Sequence, residues 1–312
     1  MPSPPTSGLP ARRAALAALD GVLRRGETLE RAASRAGGGL ADNDRKLALA
    51  IAGETLRRLP ALDRLIDSRT RQRLPDDSKA RMVLRLALAQ KAALDVPDHA
   101  IVATALPLVD GGPRRLVHGV LSALLRGQLE AAPSLPDAVA QRWASAWAVA
   151  AAAAAARLLG ERPPLDLSFR EQAAADAFPL GTALAPRHRR LDSSSVTALP
   201  GFAEGGWWVQ DLASSLPARL VPASAERVLD LCAAPGGKTL QLAAAGHRVT
   251  ALDSSESRLG RLCDNLQRTG LGADIVIADA LDWTSAEPFD AVLLDAPCSA
   301  TGTFRRHPEV LY

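Results

Sequence analysis

The stretch Val228-Leu229-Asp230-Leu231-Cys232-Ala233-Ala234-Pro235-Gly236-Gly237-Lys238-Thr239 decides the fold. A short apolar strand runs into a Gly-rich turn, and the turn opens a helix carrying Leu240 and Leu242. The same alternation continues toward the C-terminus. Val249 to Leu252 read as a second strand ended by Asp253, and Ser254-Ser255-Glu256 cap a helix that reaches Arg268. Ile275-Val276-Ile277 read as a third strand followed by Asp279, and Ala291 to Leu294 as a fourth ended by Asp295. Strands alternating with helices specify a parallel, doubly wound α/β sheet, with the fourth strand expected beside the first.

Ligands of such sheets bind outside the carboxyl ends of the strands. Here every strand ends in a Gly-rich loop or an aspartate. Gly236 and Gly237 let the backbone approach a ligand closely, and the helix after them presents free N–H groups. Asp253 stands where an acid accepts both hydroxyls of a ribose, which points to an adenosine-type cofactor, and Asp279 and Asp295 border the same crevice. A phosphate-binding P-loop requires Gly five residues before Gly237, and that position is Cys232. The Gly-x-Gly-x-x-Gly loop of dinucleotide-binding sheets is absent too. A Gly-rich turn without a ligand leaves the three aspartates unexplained.

The fourth strand continues as Asp295-Ala296-Pro297-Cys298-Ser299-Ala300-Thr301-Gly302. A Cys at the rim of a cofactor crevice is a candidate nucleophile or proton-transfer group, set against its commoner use as a small buried filler. Cys263, among Leu259, Leu262 and Leu266, reads as core, and Cys232 as a backbone contributor to the loop. Trp207-Trp208 could stack on bases, but they lead into a buried element and read as core. Three Cys are too few and too far apart for a disulfide framework or a zinc site, so a reducing, cytoplasmic setting without a metal is expected.

Upstream the pattern is helical. Leu16, Leu19, Val22 and Leu23 recur at helical spacing; Asp42-Asn43-Asp44 cap a run through Leu56; Ser78 caps another through Leu88; Pro97-Asp98-His99 open a fourth. Gly111-Gly112-Pro113 break it, and Leu116 to Leu125 form one more. Residues 131–205 mix a helix from Trp143 to Leu159, a strand Leu165 to Phe169, and the basic run Arg187-His188-Arg189-Arg190. The expected division is a disordered 1–10, a helical domain 11–130, a linker or small α+β subdomain 131–205, and the α/β domain 206–312. Residues 1–130 hold 21 Lys and Arg against 14 Asp and Glu, a balance of +7, whereas the rest holds 16 against 20. A basic helical part fits a polyanionic partner. The Ala-rich run Ala148 to Ala156 is too short and too weakly hydrophobic to span a bilayer, so no membrane association is expected.

These residues resemble the RsmB/NOP family of RNA cytosine-5 methyltransferases. The likeness rests on Cys232 to Lys238 (CAAPGGK), Val209-Gln210-Asp211, and Asp295 to Gly302 (DAPCSATG) followed by Arg305-Arg306-His307-Pro308. Residues 11–127 are similar to the NusB-like domain of the bacterial 16S ribosomal RNA members. The resemblance implies an all-α NusB-like bundle followed by a Rossmann-like, class I S-adenosylmethionine-dependent domain. It implies S-adenosyl-L-methionine held by Cys232, Ala233, Ala234, Pro235, Gly236, Gly237 and Lys238, with Asp253 on the ribose, Asp279 near the adenine and Asp295 near the reacting end. The implied substrate is a cytosine of ribosomal RNA, in 16S RNA, flipped from its stack and acted on by a monomer. In this family a second Cys, in a Thr-Cys motif after the fifth strand, attacks the base, and the Cys equivalent to Cys298 assists product release. The 312 residues end at Tyr312, after the fourth strand, so the α/β domain reads as truncated and the chain as inactive by itself. A non-catalytic RNA-binding remnant and a transfer-RNA methyltransferase are the alternatives.

Overall fold

The computed structural model describes residues 8–127, 129–192 and 195–312. The expected disordered stretch lies, as far as residue 7, outside them. The chain divides into two compact units, Met1–Glu161 with Ser299–Tyr312, and Arg162–Cys298.

The first unit is helical. Its helices are α1 (Leu9–Arg25), α2 (Leu29–Ala36), α3 (Asp42–Asp67), α4 (Lys79–Ala93), α5 (Asp98–Ala105), α6 (Gly111–Leu124), α7 (Asp137–Trp147) and α8 (Val149–Leu159). Leu19, Ile51 and Leu56 anchor one apolar cluster, and Leu84, Leu88, Ile101 and Leu121 another. α4 is buried from Ala80 to Gln90, which takes Arg81 and Arg85 into the interior. Both guanidinium groups are matched there. Arg81 bonds Asp67 at 2.7 and 3.0 Å and Asp63 at 3.0 Å, and Arg85 bonds Asp63 at 2.7 and 2.8 Å. Planar forks facing carboxylates keep these buried cations paired, the condition under which a buried charge is tolerated.

Several local expectations change. Ser78 does cap α4, its hydroxyl accepting the Arg81 amide at 3.3 Å. Asp42 and Asp44 instead lie inside the first turn of α3, where their charge meets the positive end of the helix dipole, and Ala41 at the cap supplies no side chain. Gly111-Gly112-Pro113 open α6 rather than break a helix, because the first turn has no intrahelical acceptor for the N–H that Pro113 lacks. The single helix expected from Trp143 to Leu159 is two helices, separated at Ala148, whose φ of 76° lies in the left-handed region.

Residues 301–312 pack within this same unit. Phe304 and Leu311 join Trp143, Ala155 and Leu159 in one cluster. Pro60 sits inside α3 and has no N–H to give the carbonyl of Leu56, four residues earlier. The hydroxyl of Tyr312 donates to that carbonyl at 2.7 Å.

The second unit holds two sheets. β1 (Leu165–Phe169) pairs antiparallel with β2 (His188–Leu191) and β3 (Trp207–Val209), and α9 (Gln172–Ala177) lies between β1 and β2 in sequence. Trp207 and Trp208 are buried in β3, as read from the sequence. The basic run becomes strand: Arg190 clamps the buried Asp166 of β1 through two bonds of 2.7 Å. After α10 (Leu212–Ser215) come β4 (Arg227–Leu231), α11 (Gly237–Ala244), β5 (Arg248–Asp253), α12 (Glu256–Thr269), β6 (Asp274–Ile277) and β7 (Ala291–Leu294). They form a parallel sheet in the order β6-β5-β4-β7, with β7 beside β4 as expected. Leu240, Leu259, Leu262 and Leu266 cover one side around Ala251, whereas Val292 and Leu294 of the edge strand β7 are 56% and 61% exposed. Ser255 stands at the N-cap of α12, but its side chain makes no capping bond. Among the described residues, no helix is long and apolar enough to cross a membrane, and no cluster of three or more His, Cys, Asp or Glu could hold a metal.

Tyr312→Phe should lower the stability of the first unit by about 1–2 kcal/mol in urea denaturation, because it strands a buried carbonyl. The same change in a Pro60→Ala background should cost clearly less, since residue 60 then supplies the missing N–H. Equal costs in the two backgrounds would refute the pairing.

Candidate active site

The carboxyl ends of β4, β5 and β7 bring most of the expected residues together. Cys232 leaves β4 with φ 60°, the amide of Ala233 bonds the Leu252 carbonyl at 3.1 Å, and the Gly236 amide bonds the Ala233 carbonyl at 2.8 Å. Gly236 has φ 104°, and a Cβ there would lie 2.3 Å from Leu262 Cδ1. Only glycine meets both conditions. No side chain caps α11, and the amides of its first turn have no intrahelical acceptor.

Asp253 is buried at the end of β5. Its Oδ2 accepts the Ala234 amide at 3.1 Å, and its Oδ1 accepts the Ser255 amide at 2.9 Å. A carboxylate has about four lone-pair sites, so two acceptor positions remain. Lys238 bridges to Asp295 at 2.7 Å, joining the loop after β4 to the end of β7. Asp279 lies beyond β6 on an exposed turn, its Oδ1 accepting the Leu281 amide at 2.9 Å, and the neighbouring Ala278 amide bonds the Asp253 carbonyl at 3.3 Å. Cys298 is exposed, three residues past Asp295.

The other two cysteines behave differently. Burial, reinforced by Asp253, raises the pKa of Cys232, which keeps it a thiol. Cys263, expected in the core, is exposed. The buried stripe of α12 is Leu259, Leu262 and Leu266, and the residue after Leu262 is turned about 100° away from it.

Two residues carry more than the sequence suggested. Asp230, on β4, is 1% exposed; Thr239 donates to its Oδ2 at 2.6 Å, and its Oδ1 has no partner within the protein. Burial pushes its pKa up to about 6, against the opposing Thr239 bond and Lys238. An acid inside the apolar run Val228 to Leu231 was the available signal. Arg258, on α12, donates to the Ala234 carbonyl at 2.5 Å and lies 3.8 Å from Asp253 Oδ2, so it braces the loop. Nothing in its sequence context distinguishes it from other surface arginines.

The raised Asp230 pKa has a thermodynamic sign. Its proton stabilises the fold fully below about pH 3.8, and that contribution disappears as pH rises through about 6. Asp230→Asn keeps an acceptor for Thr239 and carries no charge. It should therefore gain up to about 3 kcal/mol over the parent chain at pH 7, with little difference at pH 4, when urea denaturation is followed at both values. A constant difference across that range would show that Asp230 is not the titrating group.

Comparison with known proteins agrees with this architecture. Residues 217–312 match the family described as 16S rRNA methyltransferase RsmB/F, and residues 9–126 match the NusB family. Ribosomal RNA small subunit methyltransferase B of Xylella fastidiosa (strain Temecula1) is 38% identical over 296 residues, covering 86% of this chain and 68% of the relative. The protein of that name from Xanthomonas campestris pv. campestris is 35% identical, covering 98% of this chain and 76% of its own. The crystal structure of PH0851 matches with a TM-score of 0.67 at 21% identity, over 99% of this chain and 78% of that one, a likeness of fold. With a NusB-type helical region ahead of a parallel α/β domain that carries the CAAPGGK loop, the chain belongs to the RsmB family of ribosomal RNA cytosine-5 methyltransferases.

Proposed function

We propose that this chain forms the cofactor crevice and the RNA-binding part of an enzyme that methylates carbon 5 of a cytosine in 16S ribosomal RNA. The observation that carries the reading is the crevice at the end of β4. There Gly236 admits no side chain, the first amides of α11 lack intrahelical acceptors, and the buried Asp230 keeps one oxygen without a partner. A polar strand end of this kind fits an adenosine-bearing ligand at the switch point of an α/β sheet.

The residues to hold S-adenosylmethionine are the backbone from Cys232 to Lys238, with Asp253, Asp279 and Asp295. When bound, S-adenosylmethionine supplies an electrophilic methyl group. Arg258 and the Asp253 carboxylate fix the backbone at Ala234, and Lys238 holds Asp295 across the crevice. Carbon 5 of cytosine is a poor nucleophile, and a thiolate adding to carbon 6 activates it. After methylation, loss of the carbon 5 proton lets the carbon 6–sulfur bond break, and we assign Cys298 to that release step. The attacking thiolate belongs to a Thr-Cys motif that these 312 residues do not contain. Cys232, held as a thiol inside the loop, and Cys263, on the exposed side of α12, do not replace it. The +7 balance of residues 1–130 supports ribosomal RNA as the ligand of the helical part.

Asp253→Ala should weaken S-adenosylmethionine binding by about 1–3 kcal/mol in calorimetry, the scale of a charge-assisted hydrogen bond. An unchanged dissociation constant would remove Asp253 from the site. Methyl transfer from labelled S-adenosylmethionine to unmodified 16S RNA should be absent with the 312 residues alone and present when the chain is extended through a Thr-Cys motif. Turnover by the 312 residues that vanishes on Cys298→Ala would make Cys298 the nucleophile. Methylation of transfer RNA instead, or RNA binding without turnover by the extended chain, would select one of the alternative readings.

A further inference from the structure

The basic run Arg187-His188-Arg189-Arg190 takes no part in the crevice. Arg190 is paired with Asp166, and Arg189 donates to the backbone carbonyls of Ala175 and Asp176 at 2.8 and 3.2 Å. Arg187 differs. It precedes β2 at a φ of 54°, its amide donates to Gln172 Oε1 at 2.8 Å, and its guanidinium donates to the Ala244 carbonyl at 3.0 Å. There it borders a cavity of about 290 Å³ within the second unit, lined by residues of β1, β3 and the C-terminal end of α11. Arg219, from the turn after α10, borders it too. Its guanidinium donates to the Pro186 carbonyl at 3.0 Å and to the Ser215 hydroxyl at 3.3 Å.

Both guanidinium groups are thus aimed by neutral acceptors, and most of the five donors of each fork stay open. No Asp or Glu lines the cavity. Other forks of this protein meet carboxylates, as Arg190 does at Asp166 and Arg81 at Asp67. A third polar group borders the same space. Ser168 of β1 is 4% exposed, and its Oγ has no partner within the protein. Buried hydroxyls are normally bonded, so this one is a donor and acceptor held open at the cavity wall. Beside these groups the wall is apolar, built by Phe169, Trp208 and Val221.

We propose that this cavity binds a nucleoside monophosphate unit, its phosphate held by Arg187, Arg219 and the Ser168 hydroxyl and its ring against the apolar wall. Two guanidinium groups with no carboxylate in the cavity wall select an anion, and planar forks suit the oxygens of a phosphate. The space is too large for that anion alone, which takes the room of roughly two or three waters at about 30 Å³ each. It comes close to the roughly 300 Å³ at which small-molecule sites begin, and its aromatic and aliphatic walls give a ring a surface to pack on. The site is separate from the crevice. Gly237 opens α11 at the carboxyl end of β4, and Ala244 closes it beside the cavity. Eight residues of helix at about 1.5 Å each put roughly 10 Å between the two ends. The same chemistry has two sources, a free mononucleotide or one nucleotide of an RNA chain. The proposal goes beyond the methyl-transfer reading and does not rest on it.

The test is equilibrium dialysis of the 312-residue chain against labelled uridine 5′-monophosphate, whose base differs from the adenine expected in the crevice. Saturable binding is the expected result. Arg187→Gln and Arg219→Gln should each weaken it at least about tenfold, the size of one charge-assisted hydrogen bond, and Ser168→Ala about threefold, that of a neutral one. Should Arg187→Gln not fold, Arg219→Gln, whose side chain lies at the surface, and Ser168→Ala, which deletes one oxygen, decide the matter. Uridine and inorganic phosphate, added as competitors, should each displace the label far more weakly than the whole nucleotide. A single-stranded oligouridylate that displaces it would make an RNA nucleotide the occupant, and one that does not would make it a free mononucleotide. The proposal fails if the label does not bind, or if Arg219→Gln and Ser168→Ala bind it as the parent does. It fails also if inorganic phosphate competes as well as the nucleotide, or if S-adenosylmethionine displaces the label, which would put the nucleotide in the crevice.

Discussion

The close approach of Gly236 to Leu262 is the constraint on which the second unit turns. α11 must leave β4 sharply enough for its first amides to border the crevice, and α12 must pack against that same turn. The backbone achieves both at φ 104°, with the side chain of Leu262 in the space a Cβ would take. From this contact follow the apolar cluster of Leu240, Leu259 and Leu262 behind the sheet and the position of Arg258, which reaches the Ala234 carbonyl from α12. The loop is thus shaped by packing on one side and by hydrogen bonds to Asp253 on the other.

Two buried aspartates in this unit differ in how their charge is met. Burial raises the pKa of Asp166, but two bonds from Arg190, the Leu212 amide and nearby His188 outweigh it and hold the carboxyl below its usual range. Asp230 is as deeply placed and has one hydroxyl for company, so burial prevails and its pKa rises to about 6. The first arrangement secures a sheet. The second leaves an acceptor in reserve at some expense of stability, the pattern expected of a ligand site. The helical unit follows the first arrangement throughout α4, where Arg81 and Arg85 lie buried with every fork matched to a carboxylate or a carbonyl. Its defects are instead in the backbone, at Leu29 and Leu56, and both are met by the segment after Cys298.

The βαβ alternation from Val228 to Leu294 was legible because strand and helix periods differ and the strands give way to a Gly-rich loop or an aspartate, so strand positions followed directly. The helical character of the N-terminal part followed from apolar spacing and from Ser78 as a cap. Local propensity was a poorer guide where two conformations compete. Gly111-Gly112-Pro113 is equally compatible with ending a helix or starting one, and the run of alanines gives no sign that the chain turns at Ala148. Cys263 shows the same limit, since one position along a helix separates the buried stripe from solvent.

By itself, then, the sequence determined the fold classes, the strand ends and the identity of the loop, because these depend on periodicity and on glycine at fixed positions. Only the tertiary structure decided which groups are satisfied. That Asp230 keeps a free oxygen, that Arg258 braces the loop, and that Tyr312 completes a helix interrupted by Pro60 are facts about partners distant along the chain. Hydrogen bonds across 24 residues at Arg258 and 256 at Tyr312 leave no local pattern to read. They arise only when packing brings the donor and the orphaned acceptor to the same place.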